Sequence, residues 1–136
     1  MTGTIMRLLA EARAHITRYQ PAEAAEAMRR GAVLVDLRPT EYRWRYGEIP
    51  GAVAVSRHVL EWRMDVTSPW HIKELAPGDT GQEIILICHE GYSSSLAAYQ
   101  LKGQLGLTNV SDVIGGFAAW CDAGFPFMSR LAGSPQ

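Results

Sequence analysis

The chain has 136 residues, the length of one ordinary globular domain, and is long enough to bury a core of its own. Its 13 lysine and arginine residues nearly balance 14 acidic residues, so the charge pattern does not favour nucleic acid or an anionic membrane as a partner. The longest apolar run, Ile84 to Cys88, is far too short to cross a bilayer, and the N-terminus lacks the apolar block of a signal peptide. We therefore expect a cytoplasmic protein.

The cysteine and histidine content favours neither a disulfide framework nor a zinc site. Two cysteines, Cys88 and Cys121, are present, and a cytoplasmic domain of this size does not need a disulfide between them. No Cys-x-x-Cys motif occurs, and the four histidines lie at no spacing typical of zinc ligands. We expect free thiols, no metal and no cofactor.

Taken in order, the chain alternates between helical and strand-like patterns. Apolar residues at helical spacing, from Ile5 to Ile16, predict an amphipathic helix from Thr4 to His15, and we expect it to pack on the domain, with dimerisation as the alternative. Apolar runs predict strands at 16–19, 32–36, 52–55, 84–87 and 110–114. Helices are predicted at 21–30, 40–45, 59–64 and 94–105 and after Gly115-Gly116. Order is expected to end at Pro126, with a loose tail from Ala132 to Gln136.

This alternation predicts an α/β fold, with a mostly parallel central sheet of about five strands and helices on both faces. Ligands of such sheets bind outside the carboxyl ends of the strands. Polar residues follow three predicted strands at that edge: Asp36 with Arg38, Ser56 with Arg57, and Cys88 with its loop.

The most informative stretch surrounds Cys88. A buried strand ends at this cysteine, and a polar loop leads into a helix that starts near Ser94. The N–H groups and the partial positive charge at a helix start stabilise a thiolate and bind anions. Gly91 gives the loop conformational freedom, and Ser93 and Ser94 can cap the helix. The stretch predicts a nucleophilic cysteine in an anion-binding loop, and the alternative is a core cysteine at an ordinary turn.

Four motifs, in matching order and spacing, make the chain resemble the single-domain rhodanese-like sulfurtransferases. They are Val35-Asp36-Leu37-Arg38, Gly47-Glu48-Ile49-Pro50-Gly51-Ala52, Cys88-His89-Glu90-Gly91-Tyr92-Ser93-Ser94 and Gly115-Gly116-Phe117-Ala118-Ala119-Trp120. The resemblance covers roughly Ile16 to Pro126. It implies a rhodanese-like domain at 16–130 preceded by a helical extension at 1–15.

The resemblance also implies a function and a set of site residues. Cys88 would be catalytic, taking a sulfane sulfur from thiosulfate or a similar donor as a persulfide and passing it to cyanide or to a thiol, including a protein thiol. The residues implied to bind the substrate are His89, Glu90, Gly91, Tyr92, Ser93 and Ser94. Asp36 and Arg38 would support the site, and a purely structural salt bridge or turn role is the alternative for them. Arg57 is a further supporting candidate, chosen for its place at a neighbouring strand end and not from the resemblance.

The loop departs from the family pattern in its charge. It carries Glu90 and no lysine or arginine, so it would repel a dianionic donor unless the carboxylate points to solvent. Arg57, His58 and Arg63, near a neighbouring strand end, are candidate sources of positive charge, and the alternative is that they are ordinary solvated residues.

Two other functions stay open at this point. A non-catalytic regulatory or interaction module of the same family is the first alternative. A phosphatase or arsenate reductase is the second, and it is less favoured because Ser94 stands where such loops carry an arginine.

Overall fold

A computed structural model describes residues 3–75 and 82–129 and the backbone of residues 134–135. The main strands are β1 (Thr17–Tyr19), β2 (Val33–Asp36), β3 (Val53–Ala54), β4 (Ile84–Ile87) and β5 (Val110–Val113). They form one all-parallel sheet in the order β1-β5-β4-β2-β3. The predicted α/β fold with a parallel five-stranded sheet is confirmed, and β4, which leads to Cys88, is the central strand.

Helices cover both faces of this sheet. They are α1 (Thr4–Ala14), α2 (Pro21–Arg29), α3 (Thr40–Tyr46), α4 (Leu60–Met64), α5 (Ser93–Gln104) and α6 (Gly116–Asp122), with one 3-10 turn at Arg57–Val59. Within the described residues, no helix combines the length and apolar character needed to span a bilayer.

The core lies in two layers because neighbouring residues of a strand point to opposite faces. Along β4, Ile84 and Leu86 join the layer that contains Leu101 of α5. Ile85 and Ile87 join the other layer, which α2 and α6 cover. All four side chains of β4 are fully buried, as a continuous apolar run in a parallel sheet requires.

The N-terminal helix packs on the domain, as predicted. Leu9 and Ala12 are buried where α1 lies against α5, and the Lys102 ammonium donates to the His15 carbonyl at 2.7 Å. The apolar stripe is narrower than expected, because Ile5 and Leu8 are 56% and 50% exposed. The proposed division into an extension at 1–15 and a domain at 16–130 stays a prediction.

The C-terminal segment continues further than the sequence predicts. Beyond Pro126, Met128 exchanges two backbone hydrogen bonds with Glu48, at 2.8 and 2.9 Å. Strand β6 (Met128–Ser129) then pairs antiparallel with β7 (Ser134–Pro135). The expectation that order ends at Pro126 is therefore wrong, because a partner distant in sequence supplies the pairing. The rest of the expected loose tail lies outside the described residues.

Candidate active site

Cys88 lies at the carboxyl end of β4, between that strand and the start of α5, and is 6% exposed. Its Sγ atom accepts a backbone N–H from Gly91 at 3.1 Å and one from Ser94 at 3.4 Å. The sulfur therefore sits where amide groups and the dipole of α5 favour a negative charge. The resemblance implied that His89 to Ser94 bind the substrate, and within this loop the two amides that donate to the cysteine sulfur are those of Gly91 and Ser94.

Two glycines allow the shape of the cysteine loop: Gly91 in the loop itself and Gly116 in the helix that packs against it. Gly91 has φ +87° and Gly116, in the first turn of α6, has φ +61°, a region that favours glycine. A Cβ on Gly116 would lie 2.5 Å from the Cys88 carbonyl oxygen. The Phe117 amide donates to the Cys88 carbonyl at 2.9 Å, and the Ala118 amide donates to the His89 carbonyl at 3.0 Å. The Gly115-Gly116 motif thus lets the start of α6 approach the cysteine loop closely enough to hydrogen-bond its backbone.

Beneath the loop lies a fully buried carboxylate, Asp112 of β5. The hydroxyls of Ser94 and Ser95 donate to its Oδ2 at 2.8 and 2.7 Å. Arg18 of β1 donates through Nε and Nη2, at 2.8 and 3.2 Å. Because the Ser94 hydrogen is directed to Asp112, the Ser94 oxygen is free to accept from the Cys88 thiol, at 3.3 Å.

Two guanidinium groups reach the loop from its rear. Arg13 of α1 donates through Nη2 to the Gly91 carbonyl at 2.8 Å, and Arg18 donates to the same oxygen at 3.1 Å. Arg13 also donates to Ser95 Oγ at 3.1 Å, and its guanidinium lies 5.5 Å from the centre of the Tyr92 ring. The backbone of the loop is therefore anchored to both α1 and β1.

Asp36 and Arg38 form a buried ion pair at the end of β2. Their side chains approach to 2.7 Å and are 3% and 1% exposed. Arg38 also donates to the Gly47 carbonyl at 2.8 Å, and its guanidinium lies 3.8 Å from the centre of the Phe117 ring. The pair therefore links the end of β2 to α3 and α6, close to the cysteine loop, and its supporting role stays a prediction.

An open pocket of about 460 Å³ gives access to the cysteine. Its lining consists of Tyr42, Tyr46, Cys88, His89, Glu90, Tyr92 and Ser93. The His89 ring lies 4.6 Å from the Tyr46 ring, and burial together with the nearby Arg38 lowers the pKa of this imidazole. His89 is therefore neutral at neutral pH, while the Glu90 side chain is exposed to solvent.

The structure brings the predicted loop residues together but places Arg57 elsewhere. Arg57 pairs with Glu61 at 3.0 Å, and it is not among the described residues that line the pocket. Its proposed support of the site stays a prediction. Within residues 3–75 and 82–129, no three His, Cys, Asp or Glu side chains are grouped so that they could hold a metal ion.

Several residues of the site were not identified from the sequence: Arg13, Arg18, Tyr42, Tyr46, Ser95 and Asp112. One usable signal was present, because Asp112 interrupts an apolar strand and a buried carboxylate needs a partner. Its partner Arg18 lies on a strand that pairs with β5 only in the folded sheet.

The fold and the loop define an α/β domain that presents a cysteine at the start of a helix. The rhodanese-like domain model matches residues 20–123, and the chain belongs to this family. The chain is 37% identical over 106 residues to the thiosulfate sulfurtransferase GlpE of Haemophilus influenzae, covering 78% of this chain and 89% of that protein. It is 34% identical over 101 residues to the protein of the same name in Pseudomonas savastanoi, covering 74% and 83%.

Two solved structures illustrate the shared fold. A Rhodopseudomonas palustris protein, described as of unknown function and a possible tyrosine phosphatase, superposes with a TM-score of 0.81 at 32% identity, covering 93% of this chain and 96% of that one. The polysulfide-sulfur transferase homodimer of Wolinella succinogenes superposes with a TM-score of 0.73 at 20% identity, covering 93% and 88%. At that identity, the second likeness concerns the fold alone.

Proposed function

We propose that this protein is a sulfurtransferase that carries a sulfane sulfur on Cys88. The observation that carries the proposal is the position of the Cys88 sulfur, which lines an open pocket and accepts the N–H groups of Gly91 and Ser94 at a helix start. Family membership and the curated relatives named thiosulfate sulfurtransferase support the same reaction.

The reaction proceeds in two displacements at sulfur. The Cys88 thiolate attacks the outer sulfur of thiosulfate, forming a new S–S bond, while the S–S bond of the donor breaks and its electron pair leaves with sulfite. A thiolate or cyanide then attacks the outer sulfur of the persulfide, and the Cys88 thiolate is released. Neither step requires a metal or an organic cofactor.

The loop amides stabilise the anions in both steps. Tyr92 and Ser93 lie at the N-cap and first position of α5, where N–H groups lack a partner within the helix. We assign these amides to the anionic outer sulfur of the persulfide and to the departing anion. Ser94 holds the first sulfur in place through its amide N–H, which donates to Cys88 Sγ at 3.4 Å.

The pocket favours a small anionic donor and an acceptor that can reach a recessed sulfur. Glu90 lines the pocket mouth, but its exposed carboxylate is well screened by water. Thiosulfate is therefore the donor to test first, with cyanide, a small thiol or an exposed protein thiol as acceptor. The proposed location is the cytoplasm, where reducing conditions keep the Cys88 thiol available.

The persulfide itself is the direct test. Incubation with thiosulfate and mass spectrometry of the intact protein should show the addition of one sulfur atom, which cyanide then removes. Cys88→Ser should abolish both the addition and the turnover of thiosulfate with cyanide. Cys121→Ser is the matched control, because it removes the other thiol, and it should leave both unchanged. A bare Cys88 with thiosulfate, mercaptopyruvate and polysulfide would contradict the proposal and favour a non-catalytic module.

Phosphatase activity is the other catalytic outcome to measure, given the description of the R. palustris neighbour. Among the described residues that line the pocket, none carries the guanidinium fork that grips a phosphoryl group, and Ser94 is occupied by Asp112. We expect no hydrolysis of an aryl phosphate, and hydrolysis that Cys88→Ser abolishes would refute the assignment.

A further inference from the structure

We infer that Arg13, on the N-terminal helix, supplies the positive charge that the cysteine loop itself lacks, and so sets the preference of the site for anionic donors. The inference rests on the proposed function for its substrate. Its physical basis is the hydrogen bond of 2.8 Å from Arg13 to the carbonyl of Gly91, the residue whose amide donates to the Cys88 sulfur at 3.1 Å. These two bonds place the guanidinium within roughly 10 Å of the sulfur, since a single residue separates them.

Of the two guanidinium groups that donate to the Gly91 carbonyl, Arg13 is the one without a carboxylate in direct contact in the part of the chain that the structure describes. Arg18 is neutralised by Asp112, with which it forms a bidentate pair. Among the described residues, Arg13 forms no salt bridge, and its other partners are the hydroxyl of Ser95 and the face of Tyr92. Its positive charge therefore acts on the loop without a carboxylate in direct contact.

The hydrogen bond from Arg13 also acts through the peptide group that joins Gly91 to Tyr92. The Gly91 carbonyl and the Tyr92 N–H belong to the same peptide, and this oxygen accepts from both Arg13 and Arg18. Hydrogen bonds from two cations polarise the peptide and strengthen its N–H as a donor. Arg13 is thus a positioning residue that acts on the donor-binding amide through the backbone.

Arg13 lies outside the segment that matches the family model, which begins at residue 20. The N-terminal helix is consequently part of the site, and its burial of Leu9 and Ala12 against α5 is what holds Arg13 in place. The loop sequence therefore gives an incomplete account of the charge around the cysteine.

The local potential at Cys88 can be measured without sulfur transfer. Iodoacetate and iodoacetamide alkylate the same thiolate, but only iodoacetate is an anion, so the ratio of their rate constants at Cys88 reports the potential there. The ratio is read by peptide mass spectrometry, which separates Cys88 from Cys121. Arg13→Gln should lower the ratio roughly fivefold, the effect of one charge at this separation in a partly hydrated site.

Two further variants distinguish charge from structure. Arg7→Gln removes the same charge from an exposed position on the same helix and should leave the ratio unchanged. Arg13→Lys keeps the charge but not the fork, and should hold the ratio within about twofold of the native value. An unchanged ratio in Arg13→Gln, an equal fall in Arg7→Gln, or an equal fall in Arg13→Lys would overturn the inference.

Steady-state kinetics then connect the charge to the substrate. With thiosulfate, Arg13→Gln should raise KM roughly 25-fold, the square of the effect on a monoanion, with a smaller change in kcat, because the donor is a dianion. A KM that does not change would refute the role in donor preference. If the native protein shows no sulfur transfer at all while the alkylation ratio still falls in Arg13→Gln, the proposed function fails and the charge assignment stands.

Discussion

Replacing Asp112 with asparagine removes the charge that joins β1, β5 and α5 beneath the loop. The carboxylate accepts four hydrogen bonds, two from Arg18 and one from each hydroxyl of Ser94 and Ser95, at 2.7 to 3.2 Å. Asparagine has a similar shape but offers one acceptor oxygen, and it leaves the Arg18 side chain, which is only 16% exposed, without its counter-charge. Removing one member of such a buried pair costs about 3 to 5 kcal/mol.

The loss is measured by urea denaturation at pH 7, and in a thermal scan it corresponds to a decrease in Tm of roughly 10 to 18 °C for a domain of this length. The matched control is Asp122→Asn, on the exposed end of α6, which should change the free energy of unfolding by less than about 0.5 kcal/mol. The double variant with Arg18→Gln should lose clearly less than the sum of the single losses. A loss below about 1 kcal/mol in Asp112→Asn, or strict additivity, would refute the reasoning.

Three further outcomes are expected. Gly116→Ala should lower the free energy of unfolding by more than about 2 kcal/mol, because of its positive φ and the clash with the loop backbone. Gly103→Ala, which has open space around its Cβ, should raise it by up to about 1 kcal/mol, and urea denaturation measures both. Leu9→Ala should cost about 2 to 4 kcal/mol and the exposed Leu8→Ala less than about 1, and equal losses would mean that α1 is not docked. Because the pKa of His89 is lowered in the folded state, the unfolded chain binds more protons below pH 6.5, and stability falls as the pH drops through that value. His89→Phe should flatten this part of the stability curve measured from pH 7.5 to 5.5, and an unchanged curve would contradict the assignment.

The central strand and the cysteine loop could be predicted because their signals are local. Residues 84–87 are a continuous apolar run, and the polar loop with Gly91 follows at once, so strand, loop and helix start are all visible within a dozen residues. The observed β4 and α5 begin and end within one residue of the predicted bounds. The ion pair of Asp36 and Arg38 was also visible in the sequence, because the two residues lie only two positions apart.

The rest of the site depends on pairings that no local pattern encodes. Arg18 and Asp112 meet because β1 pairs with β5, although 94 residues separate them along the chain. Tyr42 and Tyr46 reach the pocket because α3 follows β2, the neighbour of β4, and helical periodicity alone does not say which edge of the sheet they face. The pairing of Met128 with Glu48 was missed for the same reason.

The charge around the cysteine cannot be read from the sequence of the loop alone. Taken alone, the loop offers one carboxylate, Glu90, and no cation, which predicts poor binding of a dianion. In the folded protein Glu90 is exposed, whereas Arg13 lies behind the Gly91 carbonyl in a half-buried position where water screens it less. The less screened charge has the larger effect on an anion bound at the sulfur. We therefore expect the donor preference of this protein to depend on the elements packed behind the loop, so exchanging Arg13 should change it more than exchanging Glu90.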